Sequence, residues 1–308
     1  MHRILLSTVI TATLATSPVA FANEKPLRPP AVPLVACDPY FSIWSPADKL
    51  TDTNTVHWTG KPHRLASHAW IDGWSHRIMG AEPADAPALE QKSVLALPTR
   101  TIYTFEGAGV ALTLTFMTPA QPDDLDILSR PVTYLTYECR ATDGREHNVV
   151  LGFDASAEIA VNTPDQEVVG KDEEKDGFAT VRIGSKDQPV LAKRGDDIRI
   201  DWGYLYVAAP KTTHTYCAFS TRESLHRACS AVADAASKAA GSASCIGSSR
   251  GRHRRASASA RRAVRRLCRG RTWRPPPSLW RARQRASPCA AKRIPRRGER
   301  VVAIRRGY

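Results

Sequence analysis

The sequence predicts an all-β protein of antiparallel β-sandwich type, followed by a C-terminal tail with no means of folding. Three observations carry this. Apolar and polar residues alternate with period two in short runs from Thr99 to Phe219, the spacing that puts one face of a strand in a core. Gly, Asp, Asn and Pro clusters punctuate those runs at hairpin intervals. Between the runs there is no amphipathic helix, which a parallel sheet would need for its crossovers.

His2 and Arg3 precede a mostly apolar stretch from Ile4 to Leu14, and Ala20-Phe21-Ala22 offers an A-x-A cleavage site, so residues 1–22 read as an export signal. Threonines and a serine interrupt that stretch, leaving it short of the ~20 apolar residues a membrane span requires. The mature chain is therefore expected to be secreted or periplasmic, with no membrane partner. Residues 23–95 form an N-terminal β region opened by a Pro-rich lead, Pro26 to Pro33, which is predicted to lie extended on a surface. Its aromatic block holds Tyr40, Phe41, Trp44, Trp58, Trp70 and Trp74.

Residues 96–224 form the sandwich domain. Thr101 to Phe105 alternates, Glu106-Gly107-Ala108-Gly109 turns the chain, and Val110, Leu112, Leu114 and Phe116 then share one face. Further strands are predicted at Val132 to Cys139, Asn148 to Asp154, Phe178 to Ile183, Ile198 to Val207 and Thr213 to Phe219. The charged stretch Lys171 to Asp176 reads as a solvated loop.

Charge divides the chain into two unlike parts. Residues 1–224 carry 21 Lys and Arg against 28 Asp and Glu, whereas residues 225–308 carry 23 against 2. Of the last 84 residues, 66 are Arg, Ala, Ser, Gly, Pro, Cys, Trp or Thr. All eight types have codons with G or C in the middle position. A one-base slip in a GC-rich gene moves its G/C-rich third position into that place, so residues 225–308 are expected to be an out-of-frame, disordered tail. The competing reading is an Arg-rich arm for nucleic acid, but Cys229, Cys245, Cys268, Cys289, Trp273 and Trp280 interrupt it. Ala228 to Ala243 has helical propensity without an apolar stripe. No specific nucleic-acid partner is expected.

Catalytic signatures are sparse. There is no Gly-x-Ser-x-Gly elbow, no HExxH helix and no CxxC pair; no cofactor and no metal are expected. Cys37, Cys139 and Cys217 are too few and too scattered for a disulfide framework. His57, His63, His68 and His76 cluster in sequence, but a strand does not bring that spacing to one ligand side. The best candidate site is Trp44, Asp48, Asp52, His57 and Trp58. Aromatic rings beside carboxylates suit a sugar- or amide-binding groove or a docking face; the same residues suit a filled sheet seam with aspartates closing turns.

The run Pro30 to Leu34, then Asp38 to Ser45, Leu50 to Thr53 and His57 to Gly60, resembles the N-terminal region of the glutaminase A family. The likeness continues through Ile71-Asp72-Gly73, Met79-Gly80, Pro98 to Thr101, Phe116 to Pro119, Asp154-Ala155-Ser156 and Asp201 to Leu205. It spans about Leu27 to Ser224. The resemblance implies an exported protein whose β regions precede a large helical toroid domain. It also implies a family reaction that converts L-glutamine and water to L-glutamate and ammonia. No catalytic residue is carried over, and the helical domain is the expected home of the catalytic groups and the expected partner of the β portion. The chain alone is then expected to be inactive. A free-standing carbohydrate- or envelope-binding sandwich is the alternative, and nucleic-acid binding through the basic tail a second one.

Overall fold

Tight two-residue turns set the architecture. The chain is described from a computed structural model, which covers residues 29–211, 215–238 and 299–307; the expected signal segment and tail residues 239–298 lie outside the described residues. Strands β1 (Val32–Ala36), β2 (Ser42–Ser45) and β3 (Val56–His57) form a small antiparallel sheet. Of the Pro-rich lead, residues 26–28 lie outside the described residues, Pro30 is exposed, and Val32 and Pro33 enter this sheet as the start of β1. Val32, Leu34 and Val35 are buried, and a register shift between Pro33 and Val35 accommodates the residue that cannot donate.

Strands β4 (Leu65–Ile71) and β5 (Trp74–Met79) make the next hairpin. They are followed by β6 (Glu90–Leu97), β7 (Arg100–Gly107), β8 (Val110–Met117), the short helix α1 (Leu125–Leu128), β9 (Val132–Ala141) and β10 (Val149–Ala155). A 3₁₀ turn at Ala157–Ala160 leads to β11 (Val168–Lys175), β12 (Phe178–Ser185) and β13 (Tyr204–Pro210). Helix α2 (Arg222–Lys238) and strand β14 (Glu299–Gly307) complete the described elements. The largest sheet runs β11-β12-β13-β14-β9-β8-β7-β6, and a third sheet runs β10-β4-β5. Every named strand pairing is antiparallel.

The all-β, antiparallel prediction is what the fold shows. Alternation in β7 and β8 buries Thr101, Tyr103 and Phe105 opposite Val110, Leu112, Leu114 and Phe116. These residues join Phe41, Ile43, Leu65, Ile71 and Leu135 in one core enclosed by the sheets. Asp72-Gly73, Ala108-Gly109 and Asp176-Gly177 all have φ between 50° and 91°, so each closes its hairpin as a two-residue turn with both residues left-handed. The third of these turns corrects the loop expected at Lys171 to Asp176, because residues through Lys175 belong to edge strand β11. The strand expected at Ile198 begins only at Tyr204, and residues 215–219, expected in a strand, have no regular structure.

Strand β4 is buried along its whole length. Leu65, Ala69 and Ile71 enter the main core, while Trp70 lies against Val150 and Ala233 in a second cluster. That second cluster is the contact with α2. Residues expected to lack an apolar stripe do carry a narrow one: Cys229, Val232 and Ala233 fall at i, i+3 and i+4, enough to cover one indole. Thr221 caps the helix by accepting from Ser224 N at 3.3 Å. Two segments of the expected tail, α2 and β14, thus take part in regular structure.

Candidate functional site

The five residues picked out by composition make their hydrogen bonds with three separate sets of partners. His57 is buried, and its Nε2 lies 2.9 Å from the Pro39 carbonyl. The same carbonyl accepts Trp58 Nε1 at 2.7 Å, although Trp58 is 61% exposed. Asp52 closes a turn by accepting Lys49 N at 3.2 Å, and the Asp48 carbonyl accepts Gln91 Nε2 at 3.0 Å. Trp44 Nε1 donates back to Ser42 Oγ at 2.8 Å. Of the neighbouring histidines, His63 meets His57 at a ring separation of 4.9 Å, whereas His68 stands elsewhere, on β4.

A denser set of ionisable groups lies on the outer face of the β10-β4-β5 sheet, under α2. Register places Asp154 beside Ala66, Gly152 beside His68 and Val150 beside Trp70, so period-two alternation delivers all six to that face. From α2, Arg222 donates to Glu82 Oε2 at 2.9 Å and to Asp154 Oδ1 at 3.1 Å. One turn later, His226 meets His68 edge-on and Trp70 at a tilt, with ring centroids 5.3 and 5.2 Å apart. Trp70 Nε1 donates to Ser230 Oγ at 3.0 Å. Nearby, Arg64 forms a two-pronged pair with Glu158, one bond at 2.9 Å from Nε to Oε2.

Burial sets the protonation of this seam. It pushes the Asp154 carboxyl up, against the opposing pull of Arg222 and Arg64. It also lowers His68 to about 4, helped by the charges of His226, Arg222 and Arg77. His68 is therefore neutral at pH 7 and can donate from Nε2 to the Glu82 carbonyl at 3.2 Å. The result is a charge-paired bed for a helix, closed by that helix.

A second cluster joins the hairpin ends. His147 sits between two carboxylates, Nδ1 at 2.6 Å from Asp72 Oδ2 and Nε2 at 3.0 Å from Asp143 Oδ1. Those bonds raise the His147 pKa, Asp143 first and Asp72 second. Beside Asp72 lies an open pocket of about 290 Å³, bordered by Trp74, His76, Pro87 and Ala108. Trp74 projects from it and is 77% exposed. Such an indole beside a fixed carboxylate can take the apolar face of a small polar ligand.

The described cysteines are not activated as nucleophiles. Burial raises Cys37 to about 11, Cys139 to about 12 and Cys217 to about 11, and it raises Cys229 as well. These are thiols rather than thiolates at neutral pH. No group of three or more His, Cys, Asp or Glu among the described residues is placed to hold a metal ion. Sequence reasoning missed the α2 seam because its partners lie far apart, Asp154 and Arg222 being 68 positions from each other. The one local sign was Asp154-Ala155-Ser156, read only as a family likeness.

A family described as a domain of unknown function, DUF5127, matches residues 99–244, and another, DUF4964, matches residues 6–90. Glutaminase A of Aspergillus oryzae (strain ATCC 42149 / RIB 40) is 27% identical over 208 residues, which cover 64% of this chain and 29% of that protein. The match thus spans under a third of the relative's length. The chain is a distant relative of a glutaminase. The first family match also runs past the composition break at Leu225 and covers α2.

Proposed function

We propose that this chain is the non-catalytic, β-rich N-terminal portion of an exported glutaminase that releases ammonia from L-glutamine. The observation that carries the reading is the distant relation to glutaminase A, confined to 29% of that protein. Two features of the chain support it. Its ionisable cluster is covered by α2 and paired with it, and its described cysteines are held as thiols. Amide hydrolysis needs an activated nucleophile or water, a proton donor and an oxyanion site, and these are assigned to the part of the relative that this chain does not match.

In the same reading, the Arg-rich stretch is out-of-frame translation. We put the change of frame beyond α2 rather than at Leu225, a position supported by the family match that continues to residue 244. Residues 1–22 act as the export signal.

The test is glutamine hydrolysis followed as ammonia release, using this chain and the protein encoded once the downstream frame is restored. The restored protein is expected to release ammonia and this chain is not. Ammonia release by this chain at the restored protein's rate, or by neither, ends the reading. Nucleotide sequence across the codons that follow residue 244 decides the frame, and a mature N-terminus at Asn23 decides export. One observation favours a second reading, a glycan-binding module: the exposed Trp74 beside Asp72. Retention on cell-wall glycan that Trp74→Ala abolishes is the result it requires.

A further inference from the structure

The largest sheet is continuous only because of one strand from the far end of the chain. Strands β9 and β13 do not pair with each other; β14 lies between them, antiparallel to both. On one side it pairs with Val132 to Glu138, on the other with Tyr204 to Ala208. Neighbouring strands stand ~4.8 Å apart, so without β14 the two would face each other across about 10 Å. Each would then present a row of unpaired N–H and C=O groups. Nothing within β1 to β13 can fill that opening, since each of those strands already has its own place in a sheet.

The register of the occupant is informative. Val302 stands opposite Leu135, and Ile304 opposite Thr133 and Val207. Arg300, however, stands opposite Tyr137 and Arg306 opposite Leu205, two residues only 2% and 1% exposed. A strand chosen for its side chains would not carry arginine at two positions in register with the core. Main-chain hydrogen bonds, which do not depend on side-chain identity, explain why this segment pairs there at all.

We infer that the seam between β9 and β13 is a strand-acceptor groove that must be closed by an extended segment entering from the C-terminal side of α2. Its occupant here is Glu299–Gly307, and a strand with apolar residues at positions 300, 302, 304 and 306 fits it better. The groove is a binding surface for a β-strand, with affinity from the backbone and preference from alternate positions. This inference concerns the closure of the sheet and stands whether or not the intact protein hydrolyses glutamine.

Amide hydrogen exchange on the full chain tests it. Three proteins are compared: the unaltered chain, Ala303→Pro, and the double variant R300V/R306V. Proline removes a ladder donor, so protection of the β9 and β13 amides that face β14 is expected to fall at least about tenfold, while β7 and β8 keep theirs. In the double variant the same β9 and β13 amides gain about tenfold. Should Ala303→Pro lose protection everywhere, the double variant and a labelled nonapeptide decide. That peptide has the Glu299–Gly307 sequence with R300V and R306V, and it is expected to bind the full chain and displace its own strand. Equal protection of β9 and β13 in all three proteins, or no gain in the double variant and no peptide binding, overturns the inference. Protection that is retained only in a dimer, by size-exclusion chromatography, also overturns it, because the strand then comes from a second copy.

Discussion

The hydroxyls of Ser67 and Tyr137 lie 2.9 Å apart in the core and join the β10-β4-β5 sheet to the largest sheet. Ser67 Oγ donates onward to the Gly152 carbonyl at 2.8 Å, so the Tyr137 hydroxyl is the donor to Ser67. Burial raises the Tyr137 pKa well above its ordinary value. The two possible truncations are unequal. Tyr137→Phe leaves Ser67 satisfied by Gly152 and is expected to cost about 1 kcal/mol, whereas Ser67→Ala orphans a buried phenol and is expected to cost about 2–3 kcal/mol. Urea unfolding of both variants checks the order; equal costs would show that the orphaned phenol carries no extra penalty.

His147 and its two carboxylates predict a pH-dependent clamp. Only the imidazolium donates to Asp72 and Asp143 at once. Since the His147 pKa is raised from 6.5, its contribution is fully present below about 6.5 and is lost as pH rises through the folded value. Asp143 is lowered from 3.8, so its share is present above about 3.8 and is lost as pH falls further. Melting curves of the chain and of His147→Gln are therefore expected to differ most near pH 5–6 and least near pH 9. A difference that does not change with pH would contradict this.

His68 predicts the opposite slope. Its pKa falls from 6.5 to about 4, so the folded state holds it neutral while the unfolded state takes up a proton. Stability is then lost as pH falls from about 6.5 to 4, by an amount on the order of 3 kcal/mol. His68→Gln is expected to flatten the acid side of the stability curve. An NMR titration separates the two imidazoles directly, with His68 moving near pH 4 and His147 above 6.5.

Gly109 is needed twice over. Its φ is +73°, and a Cβ there would lie 2.6 Å from His147 Nε2. Gly109→Ala combines a left-handed penalty of about 1 kcal/mol with displacement of the clamp. The variant should melt below the parent and show a weaker pH dependence than the parent. A melting point equal to the parent's would place His147 elsewhere in solution.

Arg222 holds α2 to the sheet. Arg222→Met leaves Asp154 without its nearest cation, and a loss of about 2–3 kcal/mol is expected. Adding Asp154→Asn should recover part of it. Protease cleavage within α2 should rise in the single variant and fall back in the double one. Identical cleavage in all three proteins would mean that packing on Trp70 alone fixes the helix.

Much of the fold was legible because it is written locally. Val110, Leu112, Leu114 and Phe116 alternate without interruption, and β8 buries all four. Edge strand β11 was not legible. It pairs on one side only, and its charged residues Lys171 to Glu174 are exposed, so period two leaves no apolar mark. The Asp176-Gly177 turn was the available sign. The α2 seam and β14 depend on contacts between distant residues, which composition alone cannot place. Among the proposed site residues, rings and carboxylates adjacent in sequence were sent different ways, Asp52 into a turn and Trp58 onto the Pro39 carbonyl.

The four described cysteines are unpaired, and their raised pKa values have a bearing on how such a chain matures. Thiol–disulfide exchange begins with a thiolate, and at pH 7 a group with a pKa of about 11, such as Cys37, is ionised in roughly one molecule in ten thousand. Oxidising conditions would therefore find Cys37, Cys139 and Cys217 slow to react once the sheets have closed over them. For these described cysteines, mispaired crosslinks are a hazard before folding rather than after it.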